Sequence, residues 1–372
     1  MMTGVRAILL AGAALLATAA ARADILIATA APMTGRLAWY GEQWEHGAQL
    51  AADDLNAAGG LLGQRVELIF GDDYCDPAQA VALARSLVAK GVVAVIGHTC
   101  SEAAIAAAPV YEAARVIMIA PTASNPALTD SGWRHVFRTF GRDDLQGHIA
   151  AEYLAREHAS DRIAIVFTQG TYSRGLATET KRRLNELGVE EAAFVGVDPA
   201  TAEWGAVAER LGEEGVEVIY APMHSPDAGL LIRSAADQGR AFLVVGGDAI
   251  NVEDFWLITG EAGEGTRFTY GPDPRTFPQA KDVVERFRRA GYEPASNTLY
   301  VYAAAQAWGQ AVAKAGTLKP EAVMRVLHEA EFDTVLGRIG FNEKGDVEGF
   351  EPFVWYVWRG GRYEPLEEPR TE

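Results

Sequence analysis

The chain has 372 residues, of which 22% are charged, and a formal net charge of −17 at pH 7. A negative charge of this size repels nucleic acid and disfavours an anionic membrane surface. The length predicts about two domains, because single cores rarely grow beyond about 250 to 300 residues.

The segment from Met1 to Ala23 has the organisation of a secretory signal peptide. Arg6 precedes an apolar, alanine-rich run, and Ala21-Arg22-Ala23 supplies the small residues of a cleavage signal. A buried N-terminal helix is the alternative, disfavoured because a strand-like run follows at once. Cleavage starts the mature chain at Asp24 with a net charge of −19, since two arginines are lost. No cysteine stands there for a lipid anchor, and no later stretch reads as a transmembrane helix, so we expect a soluble protein in the periplasm of a Gram-negative cell.

Short aliphatic runs alternate with longer amphipathic stretches along most of the mature chain, which predicts repeated β-α-β units. The runs are continuously apolar, as in strands buried on both faces of a parallel sheet. The first series predicts strands 25–29, 66–70, 92–96 and 116–119 and helices 42–57, 78–90 and 103–114. The second predicts helices 146–157, 174–187, 204–214 and 228–238 and strands 163–167, 193–197, 216–220 and 241–245. Two series predict an α/β protein with two Rossmann-like, doubly wound lobes.

The order changes after Gly271. Helices are predicted at 280–290, 298–314 and 320–328, followed by a hairpin around Asn342-Glu343-Lys344-Gly345 and a strand at 353–358. Helices without intervening strands must pack on a layer that already exists, so the chain is expected to return to the first lobe. Several crossings between lobes form a hinge, with a ligand cleft between the strand ends.

The chain has two cysteines, Cys75 and Cys100. Thiols tend to pair in the oxidising compartment to which a signal peptide leads, so we expect one disulfide. It would close a loop of about 25 residues and contribute about 3 kcal/mol on the chain-entropy model. Two free, buried thiols are the alternative.

Two hydroxyl-rich turns follow predicted strands of the first lobe, at residues 97–102 and 120–126. The carboxyl ends of parallel strands face the crevice of such a lobe, and Ser101 would begin a helix whose free N–H groups attract an anion. A ligand carboxylate fits this position. The alternative is that Ser101 and Ser124 only cap a helix or a turn.

Several segments together resemble the periplasmic leucine/isoleucine/valine-binding protein family, over essentially the whole mature chain. They are Asp72-Asp73-Tyr74-Cys75-Asp76-Pro77, Gly97-His98, Cys100-Ser101, the Pro121 loop, Asp333-Thr334-Val335-Leu336-Gly337, Glu343-Lys344-Gly345-Asp346 and Gly349-Phe350. The resemblance implies a type I periplasmic binding fold with three crossovers. It places residues 24–142 and 272–352 in the first lobe and residues 143–271 and 353–372 in the second, and it places the two cysteines where the family has its disulfide.

The resemblance also implies a binding site for an amino acid. Ser101 and Ser124 would hold the carboxylate, while the backbone carbonyl of Thr122 and the side chain of Asp248 would hold the ammonium group. Charge-assisted hydrogen bonds outweigh lost hydration in a closing cleft only when every polar atom of the head group finds a partner. Tyr40 and Tyr172 match aromatic positions that line the family's pocket from opposite lobes. Ordinary packing is the alternative for the tyrosines, and Trp39 is a weaker candidate.

Three departures from the family bear on the ligand. This chain has Asp248 where the family commonly has a glutamate, His224 where it has a tyrosine, and Thr99 where it has an apolar residue. Leaving polar groups such as these, or Asn297, unpaired beside a leucine side chain costs about 1 to 3 kcal/mol each. We therefore expect a bound side chain that is not purely aliphatic, although water could also satisfy these groups.

Two other classes compete with a transport protein. An enzyme is disfavoured because the sequence has no nucleophile elbow, phosphate loop, dinucleotide fingerprint or metal-binding histidine spacing, and no cofactor or metal is expected. His98, His158 and His328 are interpreted as surface or satisfied turn residues. A periplasmic sensor of the same fold stays open as the alternative. We expect a monomer, and the resemblance implies that it delivers its solute to an inner-membrane ABC permease.

Overall fold

Two β-sheets with helices on their faces organise the protein, and the computed structural model describes residues 23–366. Apart from Ala23, the predicted signal peptide lies outside the described residues. Within the described range, no helix combines the length and the apolar character needed to cross a membrane.

The first sheet is entirely parallel, with the strand order β2-β1-β3-β4-β5. Its strands are β1 (Ile25–Ala31), β2 (Val66–Asp72), β3 (Ala94–Gly97), β4 (Ile117–Ala120) and β5 (Val136–Arg138). The helices between them are α1 (Ala38–Ala57), α2 (Pro77–Ala89), α3 (Ser101–Ala114) and α4 (Ala127–Asp130). The order reverses direction between β1 and β3, which creates the crevice where ligands bind in doubly wound sheets.

The second sheet has the order β15-β14-β10-β9-β8-β6-β7. Its strands are β6 (Ile163–Thr168), β7 (Ala193–Val197), β8 (Val218–Ala221), β9 (Leu243–Gly246), β10 (Arg267–Tyr270), β14 (Val354–Arg359) and β15 (Arg362–Pro365). Its helices are α5 (Asp143–Glu157), α6 (Thr171–Glu186), α7 (Trp204–Glu213), α8 (Ser225–Asp237) and α9 (Glu253–Thr259). The strands from β6 to β10 pair in parallel, whereas β14 and β15 add an antiparallel edge.

The chain returns to the first lobe between β10 and β14. Helices α10 (Lys281–Arg289), α11 (Ser296–Ala315) and α12 (Pro320–Glu329) lead to a small antiparallel sheet of β11 (Phe332–Thr334), β12 (Gly337–Phe341) and β13 (Val347–Glu348). Helix α11 packs on α1, and Asp346 bridges to Arg138 of β5. The chain thus passes between the sheets after β5, after β10 and before β14. The exact bounds of the two lobes stay a prediction.

Burial explains why the long elements could be predicted. Every residue of β3, β4, β6 and β8 is buried, as their continuous apolar runs indicate. The elements that the prediction lacks are short. Strands β5 and β10 have three and four residues, and β11 and α4 are of similar length. Such segments contain too few residues to show a period.

The turn after β2 is built by its aspartates. Oδ1 of Asp72 accepts the backbone N–H groups of Met33 and Tyr74, and Oδ1 of Asp73 accepts that of Cys75. Asp76 then caps α2 through the N–H of Gln79. This turn presents Cys75 to Cys100, and the two sulfur atoms are bonded, with Cα atoms 5.4 Å apart. The predicted disulfide is confirmed.

His98 is a satisfied residue of the turn after β3, as interpreted, but it does not lie on the surface. Its side chain is fully buried, with Nδ1 2.6 Å from Oδ2 of Asp73 and Nε2 3.1 Å from the hydroxyl of Tyr111. Asp73 and His98 each precede a cysteine of the disulfide by two residues, so the pair and the disulfide join the same two turns. His158 follows α5 and pairs with Asp161 in a turn, as interpreted. His328 lies inside α12, where its Nδ1 is 2.9 Å from the carbonyl oxygen of Asn342, so it is not a turn residue.

Candidate functional site

The predicted site residues all line one cavity between the two sheets. They are Tyr40, Thr99, Ser101, Thr122, Ser124, Tyr172, His224 and Asp248, joined by Cys100 and Ala249. Each follows the carboxyl end of a parallel strand, namely β1, β3 and β4 in the first lobe and β6, β8 and β9 in the second. Strand ends of this kind face the crevice of a doubly wound sheet, which explains why residues so distant in sequence meet.

Hydroxyl groups dominate the side of the cavity formed by the first lobe. Ser101 begins α3, and its Oγ accepts the backbone N–H of Asn125, 3.1 Å away. The hydroxyl of Thr122 donates to the backbone carbonyl of Thr99 over 3.1 Å. The two turns are therefore tied to each other. A helix N-terminus beside fixed hydroxyls is a suitable place for an anion.

Arg138 supports these turns from below. Its guanidinium is fully buried, forms an ion pair with Asp346 and donates to the backbone carbonyls of Ala123 and Asn125, each over 3.0 Å. The loop that carries Ser124 is thereby held on a rigid base. This role cannot be inferred from the sequence, because an arginine in a three-residue strand has no distinguishing pattern.

The second lobe supplies the acidic group of the cavity. Asp248 follows β9, is only 8% exposed, and accepts a hydrogen bond from the hydroxyl of Tyr172 over 2.9 Å. Burial raises the pKa of Asp248 to about 6, against the opposing effect of the Tyr172 hydrogen bond. Burial and the nearby Asp248 carboxylate raise the pKa of Tyr172 well above its ordinary value, so this phenol is protonated and donates.

His224 lies between the two predicted tyrosines. Its ring centroid is 6.2 Å from that of Tyr40 and 5.2 Å from that of Tyr172, so it joins the aromatic groups of the two lobes. Burial, followed by the positive charge of Arg36, lowers the pKa of His224 to about 4, and the ring is neutral at pH 7. Among residues 23–366, neither Nδ1 of His224 nor Oγ1 of Thr99 has a hydrogen-bond partner.

Asp143 is a second acidic group beside the cavity, which the sequence analysis missed. It is the first residue of α5 and is 1% exposed. Burial, followed by the charge of Asp248, raises its pKa well above the ordinary value, whereas an interaction with Ser124 lowers it. Asp143 thus connects the hydroxyl side of the cavity with the acidic side.

The cavity in this closed arrangement is small. Its volume is about 20 Å³, which suffices for about one water molecule. An amino acid is several times larger than a water molecule, so the lining groups have to move apart for a solute to bind. Because both lobes supply lining groups, a solute held here contacts both.

Trp39 and Asn297 lie elsewhere. The indole of Trp39 packs on Tyr40 but lines a separate, wider cleft of about 640 Å³. Asn297 is buried in α11, where its Oδ1 accepts the hydroxyl of Tyr270 over 2.6 Å, and it is not among the residues that line the cavity. Its inclusion among the polar pocket groups was wrong. Over the described part of the chain, no group of acidic, cysteine or histidine side chains has the arrangement of a metal site.

Comparison with known proteins agrees with this geometry. The family described as periplasmic binding protein matches residues 24–361. The Leu/Ile/Val-binding protein homolog 1 of Brucella melitensis is 40% identical over 349 residues, which cover 93% of this chain and 94% of that protein. The leucine-, isoleucine-, valine-, threonine- and alanine-binding protein of Pseudomonas aeruginosa is 35% identical, with 90% of each chain covered.

Solved structures give the same result. The crystal structure of a leucine-binding protein from Thermotoga maritima superposes with a TM-score of 0.83 at 27% identity, covering 92% of this chain and 98% of that one. Two α/β lobes around a polar cavity at their strand ends define a type I periplasmic binding protein. More particularly, the chain belongs to the periplasmic leucine/isoleucine/valine-binding protein family.

Proposed function

We propose that this protein is the periplasmic solute-binding component of an ABC importer and that it captures a small amino acid between its lobes. The observation that carries the proposal is the cavity itself, with the hydroxyls of Ser101 and Ser124 on one side and the carboxylate of Asp248 on the other. Relatives of 35 to 40% identity whose names state binding of leucine, isoleucine and valine support it.

The mechanism follows from which lobe supplies each group. In the open state, a solute carboxylate docks at the N-terminus of α3 beside Ser101 and Ser124. Closure then brings the Asp248 carboxylate to the ammonium group, with the carbonyl of Thr122 as a second acceptor. A solute favours the closed state only through contacts that the open state lacks, so the second-lobe contact drives closure. The closed form would then dock on the permease, and this chain performs no chemistry.

The side-chain end of the cavity supports a polar solute. Nδ1 of His224 and Oγ1 of Thr99 are buried without partners in the described structure, and an unpaired buried polar group costs about 1 to 3 kcal/mol. A solute hydroxyl or amide could pair with them, whereas a leucine side chain could not. We therefore propose a solute whose side chain is not purely aliphatic.

Calorimetric titration tests both parts. Mature protein, unfolded and refolded to remove any retained solute, is titrated with the twenty amino acids and related amides and carboxylates. The transport proposal expects at least one solute to bind and to compact the protein in X-ray scattering. Absence of any binding would contradict it. If leucine or valine bound more tightly than every polar or aromatic amino acid, only the proposal of a polar side chain would fail.

We also propose that residues 1–23 are cleaved on export and that the protein acts as a monomer. The A-x-A pattern at Ala21–Ala23 and the periplasmic character of the family support cleavage before Asp24. Mass spectrometry of the exported protein should give a chain that starts at Asp24, and an uncleaved chain would contradict the proposal. Light scattering at micromolar concentration tests the monomer.

A further inference from the structure

Helix α6 of the second lobe has a glycine at its N-cap and another inside its second turn, Gly170 and Gly175. Neither has the left-handed backbone conformation that favours glycine, since φ of Gly170 is −78° and φ of Gly175 lies outside that region. A glycine inside a helix costs about 1 kcal/mol relative to alanine. The position of Gly175 therefore needs an explanation from packing.

That explanation lies in the opposite lobe. A Cβ at Gly175 would be 2.5 Å from Nδ2 of Asn125, and a Cβ at Gly170 would be 3.2 Å from Oε1 of Glu102. Asn125 and Glu102 belong to the first lobe. By contrast, a Cβ at Gly147 or Gly229, in neighbouring helices of the second lobe, would meet atoms of the second lobe itself.

Asn125 is held firmly in place. Its Oδ1 accepts the backbone N–H of Ala127 over 3.0 Å, and its own backbone N–H donates to Ser101. The remaining amide group reaches across the cleft, where Nδ2 donates to the backbone carbonyl of Thr171 over 3.3 Å. The side chain cannot turn away from α6 without losing this bond and disturbing the bond to Ala127.

We propose that Gly170 and Gly175 form a closure surface on α6, on which Asn125 seats when the lobes meet. Tyr172 lies between the two glycines, so Asn125 acts as a positioning residue that determines how closely Tyr172 and Asp248 approach the solute. The inference rests on the proposed function in one respect, namely that the lobes open and close around a solute.

The test is Gly175→Ala, which should weaken solute affinity without lowering the stability of the ligand-free protein. Alanine favours the helix, so the melting temperature of the ligand-free protein should stay the same or rise. The added methyl group displaces Asn125, and loss of its hydrogen bond to Thr171 should weaken affinity for the solute found by titration about fivefold. X-ray scattering at saturating solute should show a larger radius of gyration than that of the wild type.

Gly205→Ala is the matched control, because it places alanine inside α7, where the added Cβ approaches only Gln238 of the same lobe. It should leave affinity unchanged. Asn125→Gln alters the same contact on the side of the first lobe and leaves α6 unchanged. It should weaken affinity to a similar extent. In the double variant Asn125→Ala, Gly175→Ala, the amide that obstructs alanine is absent, so Gly175→Ala should have little further effect there.

The possible outcomes separate the two proposals. If the wild type binds and compacts while Gly175→Ala and Asn125→Gln do so equally well, the closure surface is refuted and the transport function stands. If Gly175→Ala weakens affinity as much in the Asn125→Ala background as in the wild type, the proposed contact is also refuted. A wild type that neither binds nor compacts with any solute would overturn the proposed function and this inference together.

Discussion

The hydroxyl of Tyr172 donates a hydrogen bond to Oδ1 of Asp248 over 2.9 Å, and both residues belong to the second lobe. The acidic group is therefore oriented by its own lobe before any solute arrives. Pre-orientation reduces the entropy lost on binding, which makes this carboxylate an effective partner despite the cost of its burial.

Replacement of Asp248 by asparagine should separate binding from stability. Asp248→Asn removes the charge opposite the solute ammonium, and affinity should fall about tenfold or more, the scale of one lost charge-assisted contact. The melting temperature of the ligand-free protein should not fall, because a buried charge is removed. Calorimetry and thermal unfolding measure the two effects, with Asp237→Asn on the exposed face of α8 as control. Unchanged affinity would refute the assignment of Asp248.

Affinity should depend on pH through the same residue. The pKa of Asp248 is about 6 in the ligand-free closed cavity, and a bound ammonium group would lower it. Affinity should therefore be full above pH 6 and decline by up to tenfold for each pH unit below it. Titrations between pH 5 and 8 test this, and the decline should be absent in Asp248→Asn. A decline that persists in that variant would point to another group.

Stability of the ligand-free protein should change with pH in the opposite direction. The pKa of Asp248 is higher in the folded protein than in the unfolded chain, where it is 3.8. Its contribution to stability is thus present below about pH 4 and lost as pH rises through about 6. Asp143 contributes with the same sign. Denaturation of wild type and Asp248→Asn at pH 5 and 7.5 should show a smaller pH effect in the variant, and equal effects would contradict the raised pKa.

Reduction of the disulfide should affect both stability and binding. The bond between Cys75 and Cys100 spans a sequence separation of 25 residues, and its loss should lower the free energy of unfolding by about 3 kcal/mol. Cys100 is also the N-cap of α3 and lines the cavity beside Ser101, so affinity should fall as well. Denaturation and calorimetry before and after reduction measure this, with thiol titration as the control. Unaltered stability after confirmed reduction would contradict the prediction.

Asp143 and Asp144 show which features of the site could not be predicted from the sequence. Both begin the same helix and are indistinguishable as sequence signals. Burial and Asp248 raise the pKa of Asp143, whereas the hydrogen bond from Arg142 lowers the pKa of Asp144 against the effect of its partial burial. Periodicity predicted the long strands and helices, and family resemblance predicted the eight cavity residues. Which of two adjacent carboxylates turns inward depends on tertiary contacts that no local pattern contains.

The buried pair of Asp73 and His98 illustrates the same limit. Both residues belong to segments that the sequence analysis singled out, yet their contact joins two turns that are separated by a helix. Likewise, the contact of Asn125 with α6 exists only because two lobes meet. Local sequence specified the turns, while the pairing between them followed from the packing of the strands.

His224 should influence which solute is preferred. Its neutral ring lies between Tyr40 and Tyr172, and its Nδ1 has no partner within the described residues. A polar solute side chain could bond to it, and a leucine side chain would leave it unpaired. With leucine bound, His224→Leu removes the cost of an unpaired Nδ1. With threonine bound, it removes the hydrogen bond between Nδ1 and the threonine hydroxyl. The ratio of leucine to threonine affinity should therefore rise at least about fivefold, the scale of one hydrogen bond.

Competition titrations with leucine and threonine measure this ratio for His224→Leu. His148→Leu is the control, since that histidine is only partly buried on the second lobe beside Glu179 and is not among the residues that line the cavity. The control should keep the wild-type ratio, because it alters hydrophobicity without altering the cavity. If His224→Leu also kept the wild-type ratio, the ring would be a packing group between the tyrosines, and specificity would have to come from Thr99 and the shape of the closed cavity.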